Sequence, residues 1–309
     1  MLELKNFSKI DLYSLFKEGD KHKIFEELGS SNKIKKFPEY NYYSVFESVS
    51  REIYRFGEQG KDILEIPPDS SEFYNIAITS KCHGGCKWCY AKATSKGEDY
   101  EDICDTWKAW MDMMDENSKP FSVKIGSIGE PTEHPDFVDF LETVYNSDVS
   151  PSYTTNGIIL GTPGDPRASE ILDATEKYCK SVSVSLGNKN LQRYQKKAIL
   201  ALKNTGVKII LNHIISDKKS VEDFIKTWRD EEDYIHVLLP LLDPFQKISV
   251  PEEVSDFLRS EILKYEMDNI ILVDYKSLGL YSKNIILKNK KIIITKNSFD
   301  LRPLKIIKI

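Results

Sequence analysis

From residue 70 onward, runs of β-branched and other apolar residues alternate with stretches whose apolar positions recur every three or four residues. The runs at Phe73 to Thr79, Phe121 to Gly129, Ser152 to Thr155, Ser181 to Leu186, Val207 to Leu211 and Tyr234 to Leu239 read as strands. Helical spacing lies between them. It runs from Ile103 to Met114 (Trp107, Trp110 and Met114 on one face), from Pro135 through Phe137, Phe140, Leu141 and Val144, around Ile171, from Tyr194 to Leu202, and from Val221 to Trp228. Strands separated by helices pair in parallel, because each helix returns the chain to the same end of the sheet. The six units predict an α/β fold with a curved sheet or partial barrel. The loops that follow its strands share one face, where site chemistry collects.

The pattern differs at both ends. Residues 1–70 carry helical spacing rich in aromatic residues (Tyr40, Tyr42, Tyr43, Phe46, Tyr54, Phe56) and end at the Pro67-Pro68 break. They predict a helical extension whose aromatics belong to a core. After residue 240, Pro240, Pro244 and Pro251 punctuate a loop region. A helix over Val254 to Tyr265, a strand over Ile270 to Val273 and a hairpin over Ile285 to Ile294 follow, making an α+β segment over 241–309. The middle portion, 71–240, holds the barrel.

With 40% hydrophobic and 29% charged residues in 309, the chain has the composition of an ordered globular protein, not a disordered one. No window approaches the ~18 consecutive apolar residues of a membrane span, and the opening MLELKNFSKIDLYSLF lacks the apolar core of a secretion signal. A cytoplasmic protein without membrane attachment is expected. Three of the five cysteines crowd within eight residues, which favours a reducing compartment and a metal centre over disulfides. The net charge of -5 is uneven, because Lys283 to Ile309 carries eight basic residues against Asp300. That tail either meets an anionic partner or guards an exposed hairpin edge with lysine.

Cys82, Cys86 and Cys89 are spaced C-x3-C-x2-C, with His83-Gly84-Gly85 letting the backbone turn tightly. Thiolates favour zinc or iron-sulfur clusters. A structural zinc wants a fourth ligand, which His83 or His134 could supply, whereas a cubane held by three thiolates leaves one iron open for a small molecule.

Cys82 to Cys89, with Trp88 before the last cysteine, resembles the cluster motif of the radical S-adenosylmethionine (radical SAM) superfamily. Gly126-Ser-Ile-Gly-Glu-Pro-Thr132, after the second strand, is similar to the glycine-rich Gly-Gly-Glu segment of that family, and Thr155-Asn-Gly157 to its Thr-Asn-Gly run. The resemblance covers roughly Phe73 to Leu239 and implies a partial (β/α)6 barrel of the radical SAM type. It implies that Cys82, Cys86 and Cys89 hold a 4Fe-4S cluster whose open iron is chelated by SAM. Gly129 and Glu130 would meet the methionine ammonium, Asn156 would line the SAM site, Ser185 would contact the ribose, and Trp88 would shield the cluster. The implied reaction is reductive cleavage of SAM to a 5'-deoxyadenosyl radical that takes hydrogen from an unidentified substrate. The substrate could be a small molecule, a peptide or a nucleotide, and flavodoxin or ferredoxin would be the electron donor. Asn212 and His213 read as a polar pair on a strand inside the barrel. Cys104 and Cys179 are too few and too far apart for an auxiliary cluster. Two other readings stay open, an activase that places a glycyl radical on a partner enzyme and a non-catalytic zinc protein.

Overall fold

The computed structural model describes residues 33–46, 53–56, 72–116, 118–187, 189–231, 233–241, 250–265, 267, 269–272, 282–295 and 303–308. The chain divides into two units, residues 1–71 with 115–121, and Glu72–Met114 with Ser122–Ile309. The Pro67-Pro68 break and Pro244 lie outside the described residues.

In the first unit, the helical spacing expected around Tyr40 to Phe56 is not what forms. Strands β1 (Lys33–Phe37), β2 (Tyr42–Phe46) and β3 (Ile53–Phe56) make an antiparallel sheet in the order β1-β2-β3. Tyr, Val and Phe side chains suit a pleated surface, and this preference wins over an i, i+4 spacing that mimics a helix. Two of the aromatics enter a core: Tyr42 and Phe46 are buried, and Phe46 stacks on Phe121 at 5.5 Å between ring centroids.

The second unit is built on one ten-stranded sheet in the order β10-β9-β8-β7-β6-β5-β4-β11-β12-β13. Its centre is the expected run of parallel strands, β4 (Phe73–Ala77), β5 (Ser122–Ile125), β6 (Ser150–Thr155), β7 (Ser181–Ser185), β8 (Lys208–Ile215) and β9 (Ile235–Pro240). The crossover helices are α1 (Ile103–Asp112), α2 (Phe137–Asn146), a short α3 (Ile158–Gly161) with α4 (Pro166–Tyr178), α5 (Gln192–Lys203) and α6 (Lys218–Trp228). The fold class is thus the α/β partial barrel read from the chain. A further helix, α7 (Glu252–Lys264), precedes β10 (Ile270–Leu272), which adds in parallel to β9.

The C-terminal hairpin forms, but its placement is not visible locally. β11 (Ser282–Leu287) lies parallel to β4, and β12 (Lys291–Thr295) and β13 (Pro303–Lys308) extend the sheet antiparallel beyond it. Asn289 and Lys290, both at positive φ, make its two-residue turn. Lys288 pairs with Glu98 and Lys290 approaches Asp102 at 3.8 Å, so part of the tail's charge is neutralised within the chain. Among the described residues no helix is long and apolar enough to cross a membrane.

Strand alternation sorts each residue to one of two faces. Tyr74, Ile76, Val123, Ile125 and Tyr153 point toward the helices, where Tyr74 stacks on Trp110 at 5.1 Å and Phe137 meets Tyr153 edge-on at 5.1 Å. Burial of such side chains is worth about 1.5–3 kcal/mol each and fixes the strand registers. The alternate positions, including Asn75, Lys124, Thr154 and Ser185, face the concave side and border its cavity.

Candidate active site

The loop after β4 carries the three cysteines and is pinned at both ends. The Thr79 hydroxyl donates to Asp99 Oδ1 at 2.7 Å, the Cys82 N–H donates to the Thr94 carbonyl at 2.9 Å, and the Tyr100 N–H to the Ile78 carbonyl at 3.0 Å. Inside this frame Gly84 and Gly85 make the turn. Gly85 sits at φ 60°, and a Cβ on Gly84 would lie 3.3 Å from the Cys82 sulfur. Two N–H groups aim at that sulfur, the Gly84 amide at 3.3 Å and Asn156 Nδ2 at 3.6 Å. Burial pushes the free Cys82 thiol up to about 11, and a bound metal would favour its thiolate form.

The loop after β5 closes against this one. The Glu130 N–H donates to the Lys81 carbonyl at 2.8 Å, and the Tyr90 hydroxyl donates to the Ser127 carbonyl. Gly129 has φ 70°, and a Cβ there would stand 2.5 Å from the Thr79 carbonyl oxygen, so both conformation and space demand glycine. Gly129→Ala is expected to cost about 1–3 kcal/mol. A wild-type urea midpoint for this variant would show that the two loops do not depend on each other.

Glu130 is buried and ties three segments together. Its Oε1 accepts from the Thr132 hydroxyl at 2.7 Å and the Thr132 amide at 3.3 Å, and its Oε2 accepts from the Asn156 N–H at 2.6 Å. Burial raises its pKa to about 7, against the lowering by these donors. Asn156, in the turn after β6, thereby connects Glu130 through its backbone to Cys82 through its side chain.

All eight residues singled out in the sequence border one cavity of about 480 Å³: Cys82, Cys86, Cys89, Trp88, Gly129, Glu130, Asn156 and Ser185. Trp88 remains 36% exposed, so it is no core aromatic. Ser185 closes β7, and its carbonyl accepts from Gln195 Nε2 at 2.7 Å. Sequence reasoning passed over Asn75, Tyr90, Lys124 and Gln195, which line the same cavity. A lysine and an asparagine at alternate positions of otherwise apolar strands were the available signal.

The polar pair expected inside the barrel is split. Asn212 lines the cavity, whereas His213 faces the other way, against Phe224 and Trp228 of α6. His213 lies 3.0 Å from His236 Nδ1 through Nε2, and His236 Nε2 faces the Glu231 carbonyl at 3.3 Å. A carbonyl only accepts, so His236 carries its proton on Nε2 and receives one from His213. Burial, then the neighbouring His236, pushes His213 down to about 3. A base with a depressed folded pKa loses stability as pH falls below its unfolded value near 6.5, about 2 kcal/mol by pH 5. Glu130, raised by burial, works in the opposite sense over the same range. The expected result is therefore a difference: the melting midpoint of His213→Phe rises relative to wild type as the pH is lowered from 7 to 5. A constant offset would place the protonation elsewhere.

Neither histidine that the zinc reading offers as a fourth ligand lines the cavity. Buried His134 uses Nδ1 to accept from the Asp136 N–H and points Nε2 at the Tyr100 carbonyl, both at 3.0 Å. His83 directs Nδ1 to Glu133 at 2.7 Å. Among the described residues no three His, Cys, Asp or Glu side chains converge on a point suited to a single metal ion. A cubane makes a different demand, one thiolate for each of three irons. Three thiols around a shared cavity, with N–H groups on one sulfur, fit that demand.

Barrel, loop order and cavity together make an α/β partial barrel in which the loops after the first three strands share one cavity. Among solved structures, Streptococcus suis SuiB bound to S-adenosylmethionine aligns with a TM-score of 0.52 at 14% identity, over 72% of this chain and 60% of that one. SuiB bound to precursor peptide SuiA aligns with a TM-score of 0.54 at 15% identity, over 72% and 59%. The chain thus spans about three fifths of SuiB. No family model matches the chain, and no curated protein matches it by sequence.

Proposed function

We infer that the chain is a radical SAM enzyme. The observation that carries this reading is the convergence of the three cysteines, Gly129-Glu130 and Asn156, from loops after three successive strands, on one cavity. Cys82, Cys86 and Cys89 would hold a 4Fe-4S cluster. When bound, that cluster supplies the electron that cleaves SAM to methionine and a 5'-deoxyadenosyl radical. The protein's own work is binding, orientation and exclusion of water.

The N–H groups of Gly84 and Asn156 stabilise negative charge on the Cys82 sulfur. Glu130 holds Asn156 in that position and offers negative charge to the ammonium of SAM. Ser185, which lines the cavity, would contact the ribose, and Trp88 would shield the cluster. A low-potential donor such as flavodoxin or ferredoxin would supply electrons in the cytoplasm. The domain limits are proposed as 1–70, 71–240 and 241–309. A peptide is one substrate class to test, because SuiB is seen with its precursor peptide.

The test is anaerobic reconstitution with iron and sulfide, reduction with dithionite in the presence of SAM, and chromatography for 5'-deoxyadenosine. Cysteine-dependent formation is expected. Stoichiometric zinc, no sulfide and no product would overturn the reading.

A further inference from the structure

Deep in the cavity stands a lysine that, among the described residues, no anion neutralises. Lys124 is at the third position of β5, beside Asn75 of β4 in direct register, and both border the cavity. It lies two residues before Gly126, so about 7 Å deeper along the strand than the loop carrying Glu130. Among the described residues Lys124 has no hydrogen-bond or ion-pair partner. The carboxylate on the same cavity, Glu130, is committed to Thr132 and Asn156. Ser152, which pairs with Lys124 in β6, turns its hydroxyl to the Val123 carbonyl at 2.8 Å. Three strands away, buried Asn212 Oδ1 lacks any hydrogen-bond partner while Asn212 lines the same space.

An ammonium enclosed in this way is costly unless it is matched. Burial alone drives the Lys124 pKa down to about 8. An apolar side chain would fill the position without that cost, as Val123 and Ile125 do on the other face of the strand. The uncommitted Lys124 ammonium and the orphaned Asn212 oxygen need a ligand that brings negative charge and further polar groups.

We propose that Lys124, with Asn75 beside it, forms a substrate subsite that takes an anionic group, a carboxylate or a phosphate, while the Asn212 oxygen across the barrel accepts from an N–H or O–H elsewhere on the same molecule. The proposal deepens the reading of this cavity as a radical SAM active site and rests on it for the word substrate. The substrate enters with its anionic end inward, which leaves its remainder toward the cysteine loop. Selectivity for charged over neutral molecules follows, since a neutral analogue leaves the half-buried cation unmatched.

The test reads the lysine directly and needs no turnover. The full-length protein is reductively methylated with 13C-formaldehyde, and the Lys124 resonance is assigned by its absence in Lys124→Arg. Its pKa is then followed by NMR with inorganic phosphate, succinate, L-methionine or uncharged acetamide. The expected result is a depressed pKa that rises by about 1–3 units with phosphate or succinate and not with acetamide. The anion that acts identifies the group. A Lys124 resonance that behaves like those of surface lysines overturns the proposal. So does a rise seen with methionine alone, which would assign the lysine to the amino-acid end of SAM. Failure of the 5'-deoxyadenosine assay with an intact anion response would instead overturn the radical SAM reading and leave an anion site.

Discussion

Cys86→Ala is expected to bring iron and sulfide content to background and 5'-deoxyadenosine to the level of a protein-free control, while the melting midpoint stays near wild type. The separation between chemistry and fold follows from how the cysteine loop is held. Its ends are fixed by the bonds of Thr79 to Asp99 and Cys82 to Thr94. The Cys86 sulfur is partly exposed toward the cavity and makes a long contact to the Gly84 carbonyl at 4.0 Å. Removing it takes away one small, half-buried side chain and leaves no large hole. Cys82→Ala is a less clean test, because that sulfur receives two N–H groups and packs on Gly84. Iron retained at wild-type stoichiometry in both Cys86→Ala and Cys89→Ala would sink the ligand assignment.

The barrel was legible because parallel strands and their helices write different periods into the chain. Strands such as Ser181 to Leu186 are bounded by helices with clear apolar faces, and six such units fit few arrangements other than a parallel sheet. The loops after the first three strands of such a sheet share a face, so topology alone brings the cysteines, Gly129-Glu130 and Asn156 together. The pairing of β11 with β4 was not legible. The two strands are more than 200 residues apart, and nothing local in Ser282–Leu287 names its neighbour. The antiparallel sheet at Lys33–Phe56 was misread for a different reason. Tyr42, Tyr43 and Phe46 have spacings that suit either period, and tertiary pairing decided between them.

Lys124 shows the limit of motif reading inside the site itself. Within FSVKIGSIG the eye goes to the glycines, and a lysine two residues earlier looks like a solvated charge. Only the register against Asn75 and the turn of the strand toward the cavity give it a role. The same holds for His213, whose partner His236 is one strand away. Chemistry carried by neighbours in sequence was visible, and chemistry assembled across strands was not.

Glu130→Ala is expected to lower stability by about 1–3 kcal/mol and to reduce SAM affinity and iron content together. The carboxylate does more than face a ligand. It accepts the Asn156 N–H at 2.6 Å, and Asn156 Nδ2 in turn reaches the Cys82 sulfur, so deleting the acceptor leaves a buried amide unmet and loosens the hold on Cys82, a proposed cluster ligand. Glu130→Gln should be milder, since its amide oxygen can still accept from Asn156 while its NH2 group meets the Thr132 hydroxyl, and only the longer bond from the Thr132 amide is lost. The pH dependence separates the two variants from wild type. With a folded pKa near 7 against an unfolded value near 4.5, Glu130 favours the folded state most below pH 4.5, and that contribution is lost as pH rises through 7. Glu130→Gln, which cannot ionise, should remove this slope from the stability profile. Urea midpoints across pH, iron analysis and equilibrium dialysis with SAM read all three consequences. If SAM affinity falls while iron and stability hold, the carboxylate serves the SAM ammonium directly, and the clamp through Asn156 is dispensable.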